Sequence, residues 1–412
     1  MKQRIVVIGA GTAGARLAGR LGSAAKTPSA AGVDVTLVGA EAHAPYNRVL
    51  LADVLAGRYP AQVAALPDPG PVVQDRVVRI DRAARELHLA AAGRPLPYDT
   101  LVLATGSNPV LPPLRGLTGG LPANVHAFRT MDDCLALSDA VREGARAVVI
   151  GGGLLGVLCA RALAERGAQV VLAQQGEHVM ERQLDAEAAR LVREHLSLRG
   201  VEVHTECRVR EVRTQGGRAV GVALADGYVL GADLVVLACG VRPSTHLARE
   251  AGLAVRTGIV VDDELRTSDP AIRAIGDCAE HRGRTYGLAT PALEQADALA
   301  GLLTSGAQGE DAPVYEGTRA LTRLTLAEAG QLPLDLAVFG DTSTREGDDV
   351  IRLTDATRRT YRKVVLREDR LVGGVLLGEL GAVGALAEAW HTAEPLPQDA
   401  PLHHLLTHDG GQ

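Results

Sequence analysis

Two stretches of this sequence decide its fold: Ile5-Val6-Val7-Ile8-Gly9-Ala10-Gly11-Thr12-Ala13-Gly14 and Ala147-Val148-Val149-Ile150-Gly151-Gly152-Gly153-Leu154-Leu155-Gly156. Each begins with a β-branched run typical of a buried strand and leads into an alanine- and leucine-rich stretch typical of a helix. In that setting three glycines form a dinucleotide-binding fingerprint. The first makes a tight turn, the second admits a pyrophosphate, and the third lets helix and strand pack closely. Two fingerprints predict two dinucleotides, a flavin and a nicotinamide.

The composition of the chain is that of a globular protein. The chain has 412 residues, enough for two or three domains, and its hydrophobic content of 46% is that of a globular protein. A net charge of −6 and an aromatic content of 2% argue against nucleic acid as a partner. No run of apolar residues is long enough to span a membrane, and we expect a cytoplasmic protein.

Cysteine and histidine usage predicts no metal centre. The five cysteines lie far apart and form no CxxC pair, so disulfides and iron–sulfur ligation are not expected: Cys134, Cys159, Cys207, Cys239 and Cys278. Three histidines cluster near the end of the sequence, at His403, His404 and His408, and we interpret them as part of a solvated tail.

The order of predicted elements indicates a duplicated plan. A strand at 33–38 follows the first helix, and apolar strands near 100–106 and 234–240 close the two units. Beyond residue 313 the pattern changes to alternating strands and one helix. We therefore expect an α/β protein with two Rossmann-like dinucleotide-binding domains, one inserted in the other, plus a small C-terminal α+β domain. The predicted boundaries are 1–115 with 241–312 for FAD, 116–240 for NAD(P), and 313–412 for the C-terminal domain.

Taken together, these motifs resemble the flavoproteins with two dinucleotide-binding domains, the glutathione reductase-like superfamily. The resemblance covers nearly the whole chain and rests on the fingerprints and on Ala104–Ser107, Gly240–Pro243, Arg266–Pro270 and Ala274–Asp277. The segments Pro45–Leu51 and Met180–Asp185 look most like the branch of rubredoxin reductases and the N-terminal part of the nitrite reductase large subunit.

The resemblance implies an FAD site in the first unit. Gly9, Gly11 and Gly14 would hold the pyrophosphate, Glu41 the adenosine ribose, and Asp277 the ribitol chain. Backbone at Val77 would contact adenine, and a helix beginning near Pro291 would point its N-terminus at the flavin. The full set implied for FAD is Gly9, Gly11, Ala13, Gly14, Glu41, Arg48, Val77, Thr105, Gly106, Arg129, Gly276 and Asp277. Asn47, Arg48 and Asp53 would lie near the flavin, and no general acid or base is assigned.

The nicotinamide site implied by the resemblance departs from the family pattern at two positions. Its implied residues are Gly151, Gly153, Leu155, Gly156, Leu158, Gln174 and Gly240. Leu158 stands where relatives often carry a glutamate beside the nicotinamide. Gln174 stands where an acid selects NADH or an arginine selects NADPH. The sequence therefore predicts weak discrimination between the two nucleotides. A third departure lies in the first unit, where Asp53 replaces a lysine near the flavin.

The function that we expect follows from these features and from the lack of a redox-active cysteine pair. No cysteine lies between Val33 and Arg58, where disulfide reductases place their redox pair. We expect an FAD-dependent NAD(P)H oxidoreductase that passes electrons through the flavin to an iron–sulfur, rubredoxin-like or sirohaem protein or to a small acceptor, as a monomer or homodimer. One alternative is a flavin-dependent oxidase, or pathway-specific flavoenzyme, that acts on a small organic substrate through an altered nicotinamide site. Another is a nucleotide-sensing protein with a structural flavin.

Overall fold

The computed structural model describes residues 2–24, 33–304, 314–328, 331–395 and 406. The three clustered histidines lie outside these residues. The helices are α1 (Thr12–Ala24), α2 (Leu51–Leu55), α3 (Met131–Ala140), α4 (Leu154–Glu165), α5 (Ala186–Ser197), α6 (His246–Glu250), α7 (Ala289–Thr304) and α8 (Val383–Thr392). The strands of the first third are β1 (Gln3–Ile8), β2 (Val33–Gly39), β3 (Val72–Gln74), β4 (Val77–Asp81), β5 (Glu86–Leu89), β6 (Leu96–Pro97), β7 (Thr100–Leu103) and β8 (Ser107–Pro109).

The remaining strands continue in chain order. Those between residues 125 and 281 are β9 (Val125–Ala127), β10 (Arg146–Ile150), β11 (Gln169–Ala173), β12 (Val201–His204), β13 (Val209–Gln215), β14 (Arg218–Leu224), β15 (Val229–Gly231), β16 (Leu234–Leu237), β17 (Val241–Pro243), β18 (Ile259–Val261), β19 (Ile272–Ala274) and β20 (Ala279–His281). Those that follow are β21 (Leu321–Glu328), β22 (Gln331–Gly340), β23 (Asp349–Asp355), β24 (Thr360–Arg367) and β25 (Arg370–Leu377).

The first fingerprint lies at the centre of a parallel five-stranded sheet with the order β19-β7-β1-β2-β3. The β-branched run Ile5–Ile8 is buried, as expected for a strand with both faces covered. After β1 the chain builds β2 and β3 on one side and then returns to place β7 on the other. The carboxyl ends of β1 and β7 therefore form a topological switch point, where open α/β sheets bind ligands.

The second fingerprint occupies the same place in a second parallel sheet, whose order is β12-β11-β10-β16-β9. Here β10 corresponds to β1, β11 to β2, and β16 to β7. The backbone bonds at the switch points also match: Ala104 N donates to Ile8 O, and Ala238 N donates to Ile150 O, each at 2.8 Å. The duplication inferred from sequence is thus present in the strand order.

The last strands form an antiparallel sheet with the order β21-β22-β25-β24-β23, covered by α8. Its own core includes Phe339 and Trp390, whose ring centroids lie 5.3 Å apart. The sheet also contacts the start of α5, where Asp185 accepts a hydrogen bond from Tyr361 Oη at 2.8 Å and lies 3.1 Å from Lys363 Nζ.

Residue contacts divide the chain into two compact units. The first unit consists of Met1–Val110, Arg129–Cys134 and Val241–Thr318, and the second of Leu111–Phe128, Leu135–Gly240 and Arg319–Gln412. The α/β class with two dinucleotide-binding sheets is confirmed, while the three-domain boundaries stay predictions. Among the described residues, no helix is both long and apolar enough to cross a membrane.

Candidate functional site

The glycines of the first fingerprint have different surroundings. Gly9 has φ +109°, and a Cβ there would lie 2.2 Å from Ala104 O. A Cβ on Gly14 would lie 1.9 Å from Gly9 O, because α1 and β1 pack this closely. At Gly11, by contrast, no described heavy atom lies within 4 Å of that position. The outer glycines are therefore required by packing, and Gly11 leaves open space at the start of α1, where unpaired N–H groups favour a phosphate.

A buried ion pair lies beside this loop in the first unit. Arg129 Nη2 donates to Asp277 Oδ2 and to Ser107 Oγ, each at 2.7 Å, and Ser107 Oγ in turn donates to Asp277 Oδ2 at 2.8 Å. Both charged side chains are only 15% exposed. Burial lowers the pKa of the Arg129 guanidinium, and the neighbouring carboxylate opposes that change. Arg129 Nε is buried without a hydrogen-bond partner among the described residues, so the guanidinium has a donor left for a ligand.

The predicted ribose acid, Glu41, is part of a second network. It accepts a hydrogen bond from Tyr46 Oη at 2.5 Å and forms an ion pair with Arg48 Nη2. Arg48 Nη1 also donates to Tyr46 Oη at 2.8 Å and to the carbonyl oxygen of Arg129 at 3.0 Å. Burial raises the pKa of Tyr46 well above its ordinary value, so the phenol stays protonated and donates. This network fixes the Glu41 carboxylate just after β2.

Other predicted FAD residues lie along the same sheet edge. A Cβ on Gly276, which has φ +76°, would lie 3.1 Å from Ala13 Cβ, so the start of α1 and the Gly276 turn are in contact. Gly276 N donates to the buried Gln295 Oε1 at 2.7 Å. Thr105 Oγ1 donates to Ser244 O at 2.8 Å, and Gly106, with φ +68°, continues that turn. These residues shape the backbone around the fingerprint.

Three predicted residues have local partners instead. Asn47 Oδ1 accepts from Val49 N at 3.0 Å and so caps a short 3₁₀ turn. Asp53, on α2, lies 3.4 Å from Arg58 Nη1, and this arginine reduces the effect of its negative charge. Val77 is half-buried at the start of β4 and pairs with Leu89 of β5. Their predicted roles toward FAD stay predictions.

The second fingerprint repeats the geometry of the first. A Cβ on Gly151 would lie 2.4 Å from Ala238 O, and one on Gly156 would lie 1.8 Å from Gly151 O. Gly153 precedes α4 and has no described heavy atom within 4 Å of its Cβ position. The open position is again the middle glycine, as a second pyrophosphate site requires.

Gln174, directly after β11, is tied to the second fingerprint. Its Oε1 accepts a hydrogen bond from Gly152 N at 2.7 Å, and its Nε2 donates to Glu181 Oε2 at 3.4 Å. Sequence reasoning assigned Glu181 no role, because it lies eight positions past the end of β11. Glu181 reaches Gln174 because the loop after β11 folds back, and Met180 N donates to Gly152 O at 2.8 Å in that loop.

The other predicted nicotinamide residues are also in the second unit. Leu158 is 7% exposed on α4, and Leu155 is half-buried in the first turn of that helix. Gly240, with φ +92°, follows β16 and has open space at its Cβ position. Their roles toward the nicotinamide stay predictions.

The thiols are unsuited to redox relay. None of the five cysteines forms a disulfide, and burial raises the pKa of Cys134 and of Cys239 to about 11. Thiolate is the reactive form, so these two side chains react slowly at neutral pH. Among the described residues, no cluster of histidine, cysteine and acidic side chains could hold a metal ion.

The residues of the first unit fit FAD. The open Gly11 position, the start of α1 and the spare donor of Arg129 supply what an anionic pyrophosphate cofactor needs.

Known proteins agree with this geometry. Residues 3–296 match the family described as pyridine nucleotide-disulphide oxidoreductase, and residues 332–390 match the rubredoxin NAD+ reductase C-terminal domain. A nitrite reductase [NAD(P)H] of Bacillus subtilis (strain 168) is 36% identical over 92% of this chain and 46% of its own length. An assimilatory nitrate reductase electron transfer subunit of the same organism is 33% identical over 92% of this chain and 48% of its own length.

A solved structure is similar over nearly the whole chain. The ferredoxin reductase from Rhodopseudomonas palustris matches with a TM-score of 0.79 and 29% identity, covering 92% of this chain and 91% of its own. The present chain spans about half the length of the two curated relatives named above. The recognition made from sequence is confirmed, as is the cofactor class of FAD with NADH or NADPH. The chain belongs to the pyridine nucleotide-disulphide oxidoreductase family.

Proposed function

We propose that the protein is an FAD-dependent NAD(P)H oxidoreductase that delivers electrons to a separate redox protein or small acceptor without a redox-active cysteine pair. One observation carries the proposal: each of two equivalent switch points has a fingerprint whose outer glycines are closed by packing and whose middle glycine is open. Two pyrophosphate cofactors are thereby accommodated, one in each unit.

The cofactors supply the hydride and electron-transfer chemistry when bound, and the chain binds and orients them. In the first unit, the start of α1 offers N–H groups to the pyrophosphate, and Arg129 adds a positive charge. Asp277 holds Arg129 in place, and its Oδ1 accepts no hydrogen bond among the described residues and can receive one from a ribitol hydroxyl. In the second unit, the open position at Gly153 and the N–H groups in the first turn of α4 would bind the pyrophosphate of the nicotinamide nucleotide.

The nature of the acceptor is supported by the thiols and by the relatives. No two cysteines form a disulfide, and burial raises the pKa of Cys134 and of Cys239, so electrons leave the flavin directly and not through a dithiol. The Bacillus relative is named an electron transfer subunit, and the Rhodopseudomonas structure is a ferredoxin reductase. From these names we infer that the electron acceptor of this protein is a separate protein that carries iron. The proposal includes a cytoplasmic location, which free thiols favour.

The test is anaerobic mixing of FAD-loaded protein with NADH or NADPH, followed by an oxidised ferredoxin or rubredoxin. We expect the visible flavin absorbance to disappear with a nicotinamide nucleotide and to return with the iron–sulfur protein. If neither nucleotide bleaches the flavin and a small amine or thiol does, the proposal is wrong and the protein acts on that organic substrate. A flavin that a nicotinamide nucleotide reduces but that no acceptor reoxidises would also contradict the proposal.

A further inference from the structure

We propose that Glu181 replaces the missing strand-end acid and makes the second unit select NADH over NADPH. The inference rests on the proposed function, because it assigns the nucleotide of that same site. It departs from the weak discrimination that the sequence predicts from Gln174 alone.

Gln174 cannot provide the acceptor that a ribose diol needs. Its Oε1 already accepts the hydrogen bond from Gly152 N, which fixes the orientation of the side-chain amide. The NH₂ group donates to Glu181 Oε2 at 3.4 Å. Gln174 is left as a donor, and a separate group has to accept hydrogen bonds from the ribose hydroxyls.

The loop after β11 brings a carboxylate to this place. Met180, which is buried and has φ +55°, turns the chain back so that its N–H donates to Gly152 O at 2.8 Å. The next residue, Glu181, accepts from Glu177 N at 2.7 Å through Oε1. Gly152 thus binds both Gln174 and the residue before Glu181, which places the carboxylate near the fingerprint and the end of β11.

Gly176 shows that the position of the carboxylate is built into the loop. A Cβ on Gly176 would lie 2.1 Å from both carboxylate oxygens of Glu181. Only glycine leaves room for the carboxylate there. Glu181 itself is exposed, so a nucleotide can reach it.

The chemistry of this pair favours a ribose with a free 2′-hydroxyl. Glu181 accepts from the hydroxyls while Gln174 Nε2 donates, which matches the mixed donor and acceptor character of a diol. A 2′-phosphate carries negative charge and only acceptor oxygens, so Glu181 repels it. Arg182 follows Glu181 and is exposed, and within the described residues it forms no ion pair that would fix it as a phosphate ligand.

The test is calorimetric binding of NAD+ and of NADP+ to FAD-loaded protein, with Glu181→Gln as the variant and Glu177→Gln as the matched control. We expect the wild-type protein to bind NAD+ at least about tenfold more tightly than NADP+, since a charge-assisted contact is of that order. Glu181→Gln weakens NAD+ binding by about tenfold and leaves NADP+ binding equal or tighter. Glu177→Gln leaves the binding of NAD+ and the binding of NADP+ unchanged.

A second variant and the combination of outcomes distinguish a failure of this inference from a failure of the proposed function. Gly176→Ala displaces the carboxylate without removing it, and it reduces the preference in the same direction. Equal or tighter binding of NADP+ by the wild-type protein, or an equal loss of both nucleotides in Glu181→Gln, overturns the inference. If the preference depends on Glu181 but neither reduced nucleotide bleaches the flavin, the inference stands and the proposed function fails. If neither nucleotide binds, both are wrong.

Discussion

Arg129 and Asp277 are 148 positions apart in the sequence, yet Arg129 Nη2 lies 2.7 Å from Asp277 Oδ2. The order of the first sheet brings Ser107, which follows β7, next to Asp277, which follows the neighbouring strand β19, and Arg129 donates to both side chains. A buried pair of this kind holds both charges in place but is costly to break on one side only.

Removing the Asp277 carboxylate should release FAD. In Asp277→Ala the ribitol acceptor is lost and Arg129 is left buried without its partner, which costs several kcal/mol. Asp277→Asn keeps an acceptor for Arg129 and Ser107, so it should bind FAD more weakly but retain it. The measurement is the FAD content after gel filtration, together with the dissociation constant from flavin fluorescence. Wild-type affinity in Asp277→Ala would show that Asp277 does not contact the cofactor.

Valine at one glycine just before α1 and at two glycines within it should have three different effects. Gly11→Val fills the open space at the fingerprint, so the protein should fold but lose FAD. Gly14→Val places a Cβ 1.9 Å from Gly9 O and should prevent folding. The control is Gly22→Val, because Gly22 is exposed with open space around it and should accept valine without loss of FAD or stability. Circular dichroism and FAD content separate these results, and FAD retention in Gly11→Val would contradict the assignment.

His195 should make the second unit sensitive to acid. Burial, followed by the positive charge of Arg199, lowers the pKa of this α5 histidine from 6.5 to about 4. Above pH 6.5 the side chain is neutral in both folded and unfolded states, so its contribution is fully present. As the pH falls toward 4, only the unfolded chain takes up the proton, and up to about 3 kcal/mol of stability is lost.

The matching measurement is chemical denaturation over that pH range. His195→Gln should flatten the part of the pH dependence that lies between the two pKa values, whereas His246→Gln, at an exposed position, should not. A wild-type curve and a His195→Gln curve that remain parallel would show that His195 titrates normally in the folded protein.

Alkylation of the thiols should leave electron transfer intact. Because burial raises the pKa of Cys134, Cys207, Cys239 and Cys278, iodoacetamide should react slowly at neutral pH, even after reduction of the protein by NADH. Mass spectrometry follows the labelling, and the rate of acceptor reduction follows the function. Loss of activity in step with alkylation of one reduced cysteine would indicate a thiol relay.

The fingerprints could be predicted from sequence because their glycine spacing belongs to one strand, one turn and one helix. The close contacts of Gly14 with Gly9 and of Gly156 with Gly151 arise within that local unit. The close contacts of Gly9 with Ala104 and of Gly151 with Ala238 depend on a neighbouring strand that is distant in sequence. The β-branched runs and their spacing likewise predicted the duplicated plan of strands and helices.

The contacts between these polar and charged side chains could not be predicted, since they depend on how the loops fold back. The left-handed conformation of Met180 places Glu181 next to Gln174, and no periodic pattern reports that turn. The contact of Glu41 with Arg48 is similar, because the loop after β2 has to close before the two side chains meet. Arg48 lies seven positions after Glu41 and Glu181 lies seven positions after Gln174, so in both units the contact forms only when the loop folds back.

The central claim is that electrons pass through a flavin with no dithiol, and a reductive titration tests it most directly. FAD-loaded protein is titrated anaerobically with the nicotinamide nucleotide that it accepts, while flavin absorbance is followed to its end point. We predict that a single equivalent of nucleotide per FAD completes the reduction and that no thiol becomes newly reactive. A second equivalent consumed together with newly reactive thiols would contradict the account, and so would a flavin that neither NADH nor NADPH reduces.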